Sequence, residues 1–414
     1  MATSRASAFV DKDRLWRRHA AMAAFGAIPG NGVNRAALSA EDIEARRTFV
    51  AWGAERGYAA FTDAIGNLFL RRPGRDPAAA PVLTGSHLDS QPRGGRFDGT
   101  YGVLAGLEAL EALDDAGIAT ERPIEVVSWT NEEGSRFQPG TMGSVAFIGL
   151  RSPADFADVR DAAGVPFTAE LARALAALPQ ATPRPFGWPV HAFVEAHIEQ
   201  GPVLYDRGET IGAVDSIQGA RWFQVELRGE TSHAGTTPLA ARRDAVQAAV
   251  RCIAGLNDLM HDPADVLRFT VGRVDVEPNV PNSVASRAAF TIDLRHPEAT
   301  VLAARGERIA EVCRAAAGAC AVAVSETLSM PPCRFDAGIV DRVEHHAQAL
   351  GLPVRRMPSG AFHDAGYMAG FCPTAMIFIP CERGISHNEA ENATPDDLAA
   401  GARVLAEVLV DLAG

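Results

Sequence analysis

The sequence is poor in the features that mark secreted, membrane or nucleic-acid-binding chains. Its six cysteines are scattered along 414 residues without a C-x-x-C pair. That argues against a disulfide framework and fits a reducing compartment. Positive charge is in deficit, with 39 Lys and Arg against 51 Asp and Glu, a net charge of -12. Nucleic acid and anionic membrane are therefore not expected partners. No apolar run is long enough to span a bilayer. The N-terminal MATSRASAFVDKDRLWRR lacks an apolar core ahead of a cleavage site, so no secretory signal is read there and a cytoplasmic protein is expected. There is no internal repeat, and the nearest thing to low complexity is the Ala/Pro-rich stretch 73–81. What remains is a globular composition, 47% hydrophobic and 22% charged. The length argues for two domains.

The informative stretch is PVLTGSHLDSQPRGGRFDGTYGVLAG, residues 81–106. Val82-Leu83 reads as the end of a buried strand that delivers His87 and Asp89. A turn-rich segment holding Asp98 follows, then a helix over 103–113. In open α/β sheets, ligand sites lie where strand ends meet such loops. Residues 124–130, IEVVSWT, form a second apolar, β-branched run, the pattern of a buried parallel strand. It leads into Asn131-Glu132-Glu133-Gly134. A Glu-Glu pair by itself is no more than a solvated acidic turn. Leaving a buried strand at the same sheet edge as His87, it reads as functional. A third strand, 191–195, delivers His197, Glu199 and Gln200, and a fourth, 374–380, delivers Ser386-His387-Asn388. Helices are expected over 11–26, 41–56, 168–178, 336–351 and 395–412, the second opened by the capping-box spacing Ser39-Ala-Glu-Asp42.

Between the third and fourth strands the pattern changes. Residues 222–228 alternate, and His233 sits in the loop that follows. A helix over 240–260, strands over 267–274 and 287–295, a helix over 300–317 and a strand over 320–327 complete the set. The order β-α-β-β-α-β suggests a ferredoxin-like sandwich inserted into the first domain. The fold class expected is thus α/β, a catalytic domain with a central mixed sheet over 1–213 and 333–414, carrying an inserted α+β domain over 214–332.

Two or more His with Asp and Glu at converging strand ends can hold two divalent ions that share a carboxylate, and a leftover carboxylate beside them can act as general base. The segments SHLDSQPRGGRFDG, NEEGSRF, EAHIEQGP, TSHAGTTP, PNSV followed by DLRHP, SGAFHDA and GISHNEAE run through residues 86–391. In this order they resemble the hydantoinase/carbamoylase family of di-metal amidohydrolases, relatives of the zinc exopeptidases. The family includes N-carbamoyl-L-amino acid hydrolases, β-ureidopropionases and allantoate amidohydrolases.

The resemblance implies two divalent ions per subunit, Zn²⁺ or Mn²⁺, Co²⁺ or Ni²⁺, all of which accept this nitrogen/oxygen set. His87 and His197 would bind one ion, Glu133 and His387 the other, and Asp98 both. Glu132 would be the base that activates water, and Asp89 the partner that fixes the His87 ring. His197 matters for classification, because dipeptidase-like and aminoacylase-like relatives carry a carboxylate there. Arg295 resembles the clamp for a substrate carboxylate, which suits a bidentate guanidinium. Asn282, Gln200 and Gly360 resemble further substrate contacts. His233 resembles the residue that stabilises the oxyanion from the partner subunit of a homodimer, and the inserted domain would serve as lid and dimerisation domain. His363 and Asp364 belong beside the ligands or at a helix start, and Phe362 stands where a small residue is expected. His19, His191, His261, His296, His345 and His346 match no motif. The activity implied is hydrolysis of an N-carbamoyl amino acid, a small carboxylated ureido substrate, with allantoate as the alternative. A dipeptidase, or a metal-binding protein without turnover, ranks below both.

Overall fold

The computed structural model describes residues 6–414. They divide into two compact units, 6–215 with Arg334–Gly414, and Ser216–Cys333.

The first unit is built on a ten-stranded mixed sheet. Its centre holds four adjacent strands in the order Thr374–Ile379, Ala192–Ile198, Val82–His87 and Ile124–Trp129. All three pairings among them are parallel, so their carboxyl ends open onto one edge. Every residue of the four is buried, the pattern of a parallel sheet covered on both faces. The flanking strands Ile211–Ile217, Leu68–Arg72 and Ala59–Thr62 run antiparallel to their inner neighbours. Helix Thr100–Asp115 follows the loop that holds Asp98 and is buried from Thr100 to Leu113. Helix Pro395–Ala413, capped by the Thr394 side chain, packs beside it.

Several bounds differ from the sequence expectation for local reasons. The strand expected to end at 195 continues to Ile198, which puts His197 inside it. The strand read from Val82-Leu83 runs on through Thr84-Gly85-Ser86 to His87. Those small polar residues are tolerated because Thr84 Oγ1 donates to the Val194 carbonyl at 2.6 Å and Ser86 Oγ to Glu195 Oε1 at 2.6 Å. Strands Ile211–Ile217 and Val354–Ser359 were not expected.

The second unit has a four-stranded antiparallel sheet in the order Arg268–Glu277, Arg287–His296, Gly219–Arg228, Ala321–Met330. Helices Ala245–Leu259 and Ala299–Ala316 lie against one of its faces, with Val225, Leu227, Phe290, Ile292, Cys252 and Ile309 in a common core. In chain order this is β-α-β-β-α-β, the ferredoxin-like arrangement. The helix expected from 240 begins at Ala245 instead. Pro238 starts a separate 3₁₀ turn, Leu239–Ala241, and the Asp244 side chain then caps the helix by accepting from Val246 and Gln247 N–H.

Candidate metal centre

The four central strands aim their ends at one point. His87 and His197 come from the strands themselves, Glu132 and Glu133 from the loop after Trp129, and His387 from the loop after Ile379. Asp98 sits ahead of helix Thr100–Asp115. His87, Asp98 and His197 are 2%, 4% and 1% exposed, so each is held by protein rather than by water.

The Asp98 carboxylate faces two ways. Its Oδ1 lies 3.3 Å from His197 Nε2 and 4.0 Å from His87 Nε2. Its Oδ2 lies 3.3 Å from His387 Nε2, which is 3.6 Å from Glu133 Oε2. The donor atoms of His87, Asp98 and His197 all lie within 4.8 Å of one another, and so do those of Asp98, Glu133 and His387. Glu132 belongs to neither group; its Oε2 is 3.5 Å from His87 Nε2.

The tautomers of the two buried rings follow from their partners. His87 Nδ1 meets the carbonyl of Asp89 at 2.8 Å, and His197 Nδ1 that of Ile198 at 2.9 Å. A carbonyl only accepts, so each Nδ1 carries the proton and each neutral ring points its Nε2 lone pair at Asp98. The Gly99 N–H donates to that same lone pair of His197 at 3.2 Å. Burial pushes the His87 ring down to about 4, which keeps it neutral. Lone pairs aimed at carboxylate oxygens from this range repel unless a cation sits among them, and backbone-anchored imidazoles are what metal sites use. The donor set of nitrogen and oxygen without sulfur therefore fits two divalent ions.

Charge at the site is one-sided. Burial raises the Glu133 carboxyl to about 8, with Asp98 adding to the shift. Burial, then Asp364, Glu133, Asp89 and Asp98, push Glu132 well above the usual carboxylate range. Burial opposes the charge of Asp98, but His387, His197 and His87 outweigh it and hold the carboxyl below the usual range. The hydrogen bond to Asp98 draws His387 up to about 9 against its own burial. The carboxylates thus attract positive charge to the point where the ligand atoms converge.

Backbone conformation is unusual at the same place. Asn131, Gln200 and His387 have φ of 54°, 56° and 52°, and Gly99 has 61°. Such left-handed non-glycine residues persist where the surroundings over-determine them, often at functional sites. At Gly99 a side chain is excluded, since a Cβ would lie 2.3 Å from the His87 ring.

Asp89 holds the His87 ring through its backbone carbonyl and not through its carboxylate. The carboxylate instead accepts from the N–H groups of Glu132 at 3.3 Å and Glu133 at 3.2 Å, anchoring that loop. Gln200 donates to Asp98 Oδ2 at 3.0 Å. Gly360 lies in the loop after strand Val354–Ser359. His363 is buried with its ring edge-on to His197, centroids 4.5 Å apart, and Asp364 opens helix Asp364–Met368, bonded to the Ser144 hydroxyl. Phe362 packs edge-on against Tyr367 at 5.0 Å.

The remaining predicted residues lie in the second unit. Strand Ser232–His233 pairs with Ser283–Val284, and Ala234 N–H donates to the Asn282 carbonyl at 3.0 Å, so His233 and Asn282 are neighbours. His233 Nδ1 accepts from the N–H groups of Gly235 at 3.0 Å and Thr236 at 3.2 Å. Its proton therefore resides on Nε2. Arg295, on strand Arg287–His296, presents the Nε/Nη2 edge of its guanidinium to Asp293 at 3.0 and 2.9 Å.

Two buried residues escaped the sequence reading. Arg35, 1% exposed, donates to the carbonyl of Leu88, between His87 and Asp89, and to Thr100 Oγ1. Glu391, 2% exposed, accepts from the Phe97 and Asp98 N–H groups. Only Glu391 carried a signal, its place in GISHNEAE four residues after His387.

The model of the peptidase family M20/M25/M40 matches residues 83–411. The chain belongs to this family. Among its relatives is the N-carbamoyl-L-amino-acid amidohydrolase of Rhizobium meliloti, 38% identical over 98% of this chain and 97% of that one. The allantoate amidohydrolase of Escherichia coli (strain K12) is also 38% identical, over 95% of this chain and 96% of its own. Among solved structures, a hydantoinase/carbamoylase family amidase from Burkholderia multivorans superposes with a TM-score of 0.92 at 44% identity, covering 98% of both chains. Membership of the M20/M25/M40 family accords with the mixed central sheet.

Proposed function

We propose that this chain hydrolyses the carbamoyl C–N bond of an N-carbamoyl amino acid, with two divalent ions held by His87 and His197, by Glu133 and His387, and by Asp98 shared between them. The observation that carries the reading is the Asp98 carboxylate, with one oxygen toward each ligand group and the uncommitted Glu132 beside them. Relatives at 38% identity bear amidohydrolase names, and His197 stands where dipeptidase-like relatives would carry a carboxylate.

Bound divalent ions make water acidic near neutrality and polarise a carbonyl. Glu132, the carboxylate outside both ligand groups, would take a proton from the attacking water. His233, whose Nδ1 accepts two backbone bonds and leaves the proton on Nε2, would donate to the oxyanion. Arg295, steadied by Asp293, pairs with the substrate carboxylate, while Asn282, Gln200 and the Gly360 backbone supply hydrogen bonds. Glu132 returns its proton to the leaving nitrogen. Ammonia departs, the carbamate loses carbon dioxide, and the free amino acid remains. In this reading the ions are Zn²⁺, Mn²⁺, Co²⁺ or Ni²⁺. The second unit acts as lid and dimerisation domain of a cytoplasmic homodimer, with His233 acting on the partner's site. No described helix is long and apolar enough to cross a membrane.

Allantoate is the second reading, favoured by the equal identity of the Escherichia coli relative. Ammonia release is to be measured with N-carbamoyl-β-alanine, an N-carbamoyl-L-α-amino acid and allantoate, with and without chelator. Metal-dependent release from a carbamoyl amino acid is expected. Release from allantoate alone supports the second reading, and silence on all three with metal bound refutes both.

A further inference from the structure

The loops bearing Asp98 and His387 are joined by a residue that neither ligand group includes. Glu391 Oε1 accepts from the N–H groups of Phe97 at 3.0 Å and Asp98 at 3.1 Å. Its Oε2 accepts from the Ser386 hydroxyl at 2.9 Å. The fold makes room for this carboxylate: a Cβ on Gly95 would lie 2.0 Å from Glu391 Oε1. A hydroxyl that donates its one proton to Glu391 has only lone pairs left for other partners. Ser386 Oγ accordingly accepts from Gln200 Nε2 at 3.2 Å. The same Nε2 donates to Asp98 Oδ2 at 3.0 Å. The chain of bonds runs in one direction, from amide to hydroxyl to carboxylate, and closes on the ligand that both ion groups share.

We propose that Glu391 is a positioning residue of the metal centre. It fixes the Asp98 backbone and ties it to the His387 loop. Through Ser386 it also orients the Gln200 amide, whose Nε2 donates to Asp98 and Ser386, so that Oε1 would be the atom to accept from a substrate N–H. A ureido group offers such a donor, so the inference rests on the metal-centre and ureido-substrate reading above. Neutral donors could replace one another freely in such a ring; an acceptor-only group at its end removes that freedom. The backbone supports the same conclusion, since Gln200 and His387 are both held at positive φ, 56° and 52°.

The test uses metal-free full-length protein titrated with Co²⁺ by calorimetry, for the wild type, Glu391→Gln, Ser386→Ala and His387→Ala. Glu391→Gln is expected to weaken one of two ions about 10–100-fold, the range for residues that orient ligands, and to weaken the other, which shares Asp98, less. The ion affected is the one that His387→Ala removes. Ser386→Ala at saturating Co²⁺ is expected to raise KM for the carbamoyl substrate more than it lowers kcat. The proposal is overturned if Glu391→Gln binds both ions as the wild type does. It is equally overturned if both ions weaken together while the metal-free Tm falls, the mark of a merely structural carboxylate. A wild type that takes up fewer than two Co²⁺ removes the metal-centre reading itself, and this inference with it.

Discussion

Glu132 and Glu133 are neighbours in sequence with opposite assignments. Glu133 accepts from the Gln91 backbone at 3.1 Å and side chain at 2.7 Å and faces His387, the setting of a fixed ligand. Glu132 is anchored through its backbone, its N–H to the Asp89 carboxylate and its carbonyl to the Thr141 N–H, so its carboxyl would be the one to exchange a proton with water and then with the leaving nitrogen. Glu132→Gln should therefore keep two ions per chain and lower kcat by about 10²–10⁴-fold. Glu133→Gln should instead lose ion affinity. Steady-state ammonia release paired with metal analysis separates the two, and equal metal loss in both variants would count against the division of roles. Away from the site, His19 is buried against Phe97 and Tyr101, and burial, with the charges of Arg96 and Arg35, lowers its ring to about 3. Unfolding releases a ring that protonates near 6.5, so its contribution is whole above that value. It is lost as pH falls toward 3, by at most about 1.4 kcal/mol per pH unit. His19→Leu should lose less stability than the wild type between pH 7 and pH 5 in urea unfolding. An identical loss would show that His19 does not titrate on unfolding.

Elements position these side chains by conditions that single substitutions can break. Gly99 turns the chain from Asp98 into helix Thr100–Asp115 at φ 61°, against the His87 ring. Gly99→Ala should weaken Co²⁺ binding about tenfold or more while far-UV circular dichroism stays native, because the added methyl collides with the His87 ring rather than with the core. Unchanged affinity would mean that the His87 ring shifts without consequence. The strands that could be read from sequence are those whose interior is apolar and β-branched, such as Ile124–Trp129 and Thr374–Ile379. Val82–His87 was legible only at its start, since its polar half is stabilised by Val194 and Glu195, more than a hundred residues away. Val354–Ser359 is partly exposed and carries two arginines, so no periodicity marks it. The loops that converge could be placed from motif order. The part of Glu391 could not, since its partners Phe97 and Asp98 lie 294 and 293 residues upstream.

At the scale of the whole molecule, one unit holds the proposed ligands and base while the other carries His233, Asn282 and Arg295. If His233 serves the site of a partner chain, activity depends on assembly. Mixing His233→Ala with Glu132→Ala subunits should then recover up to about a quarter of wild-type turnover, because random exchange leaves half the dimers hybrid with one intact site each. No recovery after demonstrated exchange would place His233 in its own chain's site. The central claim is that one carboxylate, Asp98, unites two ion sites. Its most direct test is the number of divalent ions per chain at saturation, measured by elemental analysis in the wild type and in Asp98→Ala. Two ions in the wild type, with affinity for both reduced in the variant, are predicted. Fewer than two in the wild type, or two held at undiminished affinity without Asp98, would contradict the account.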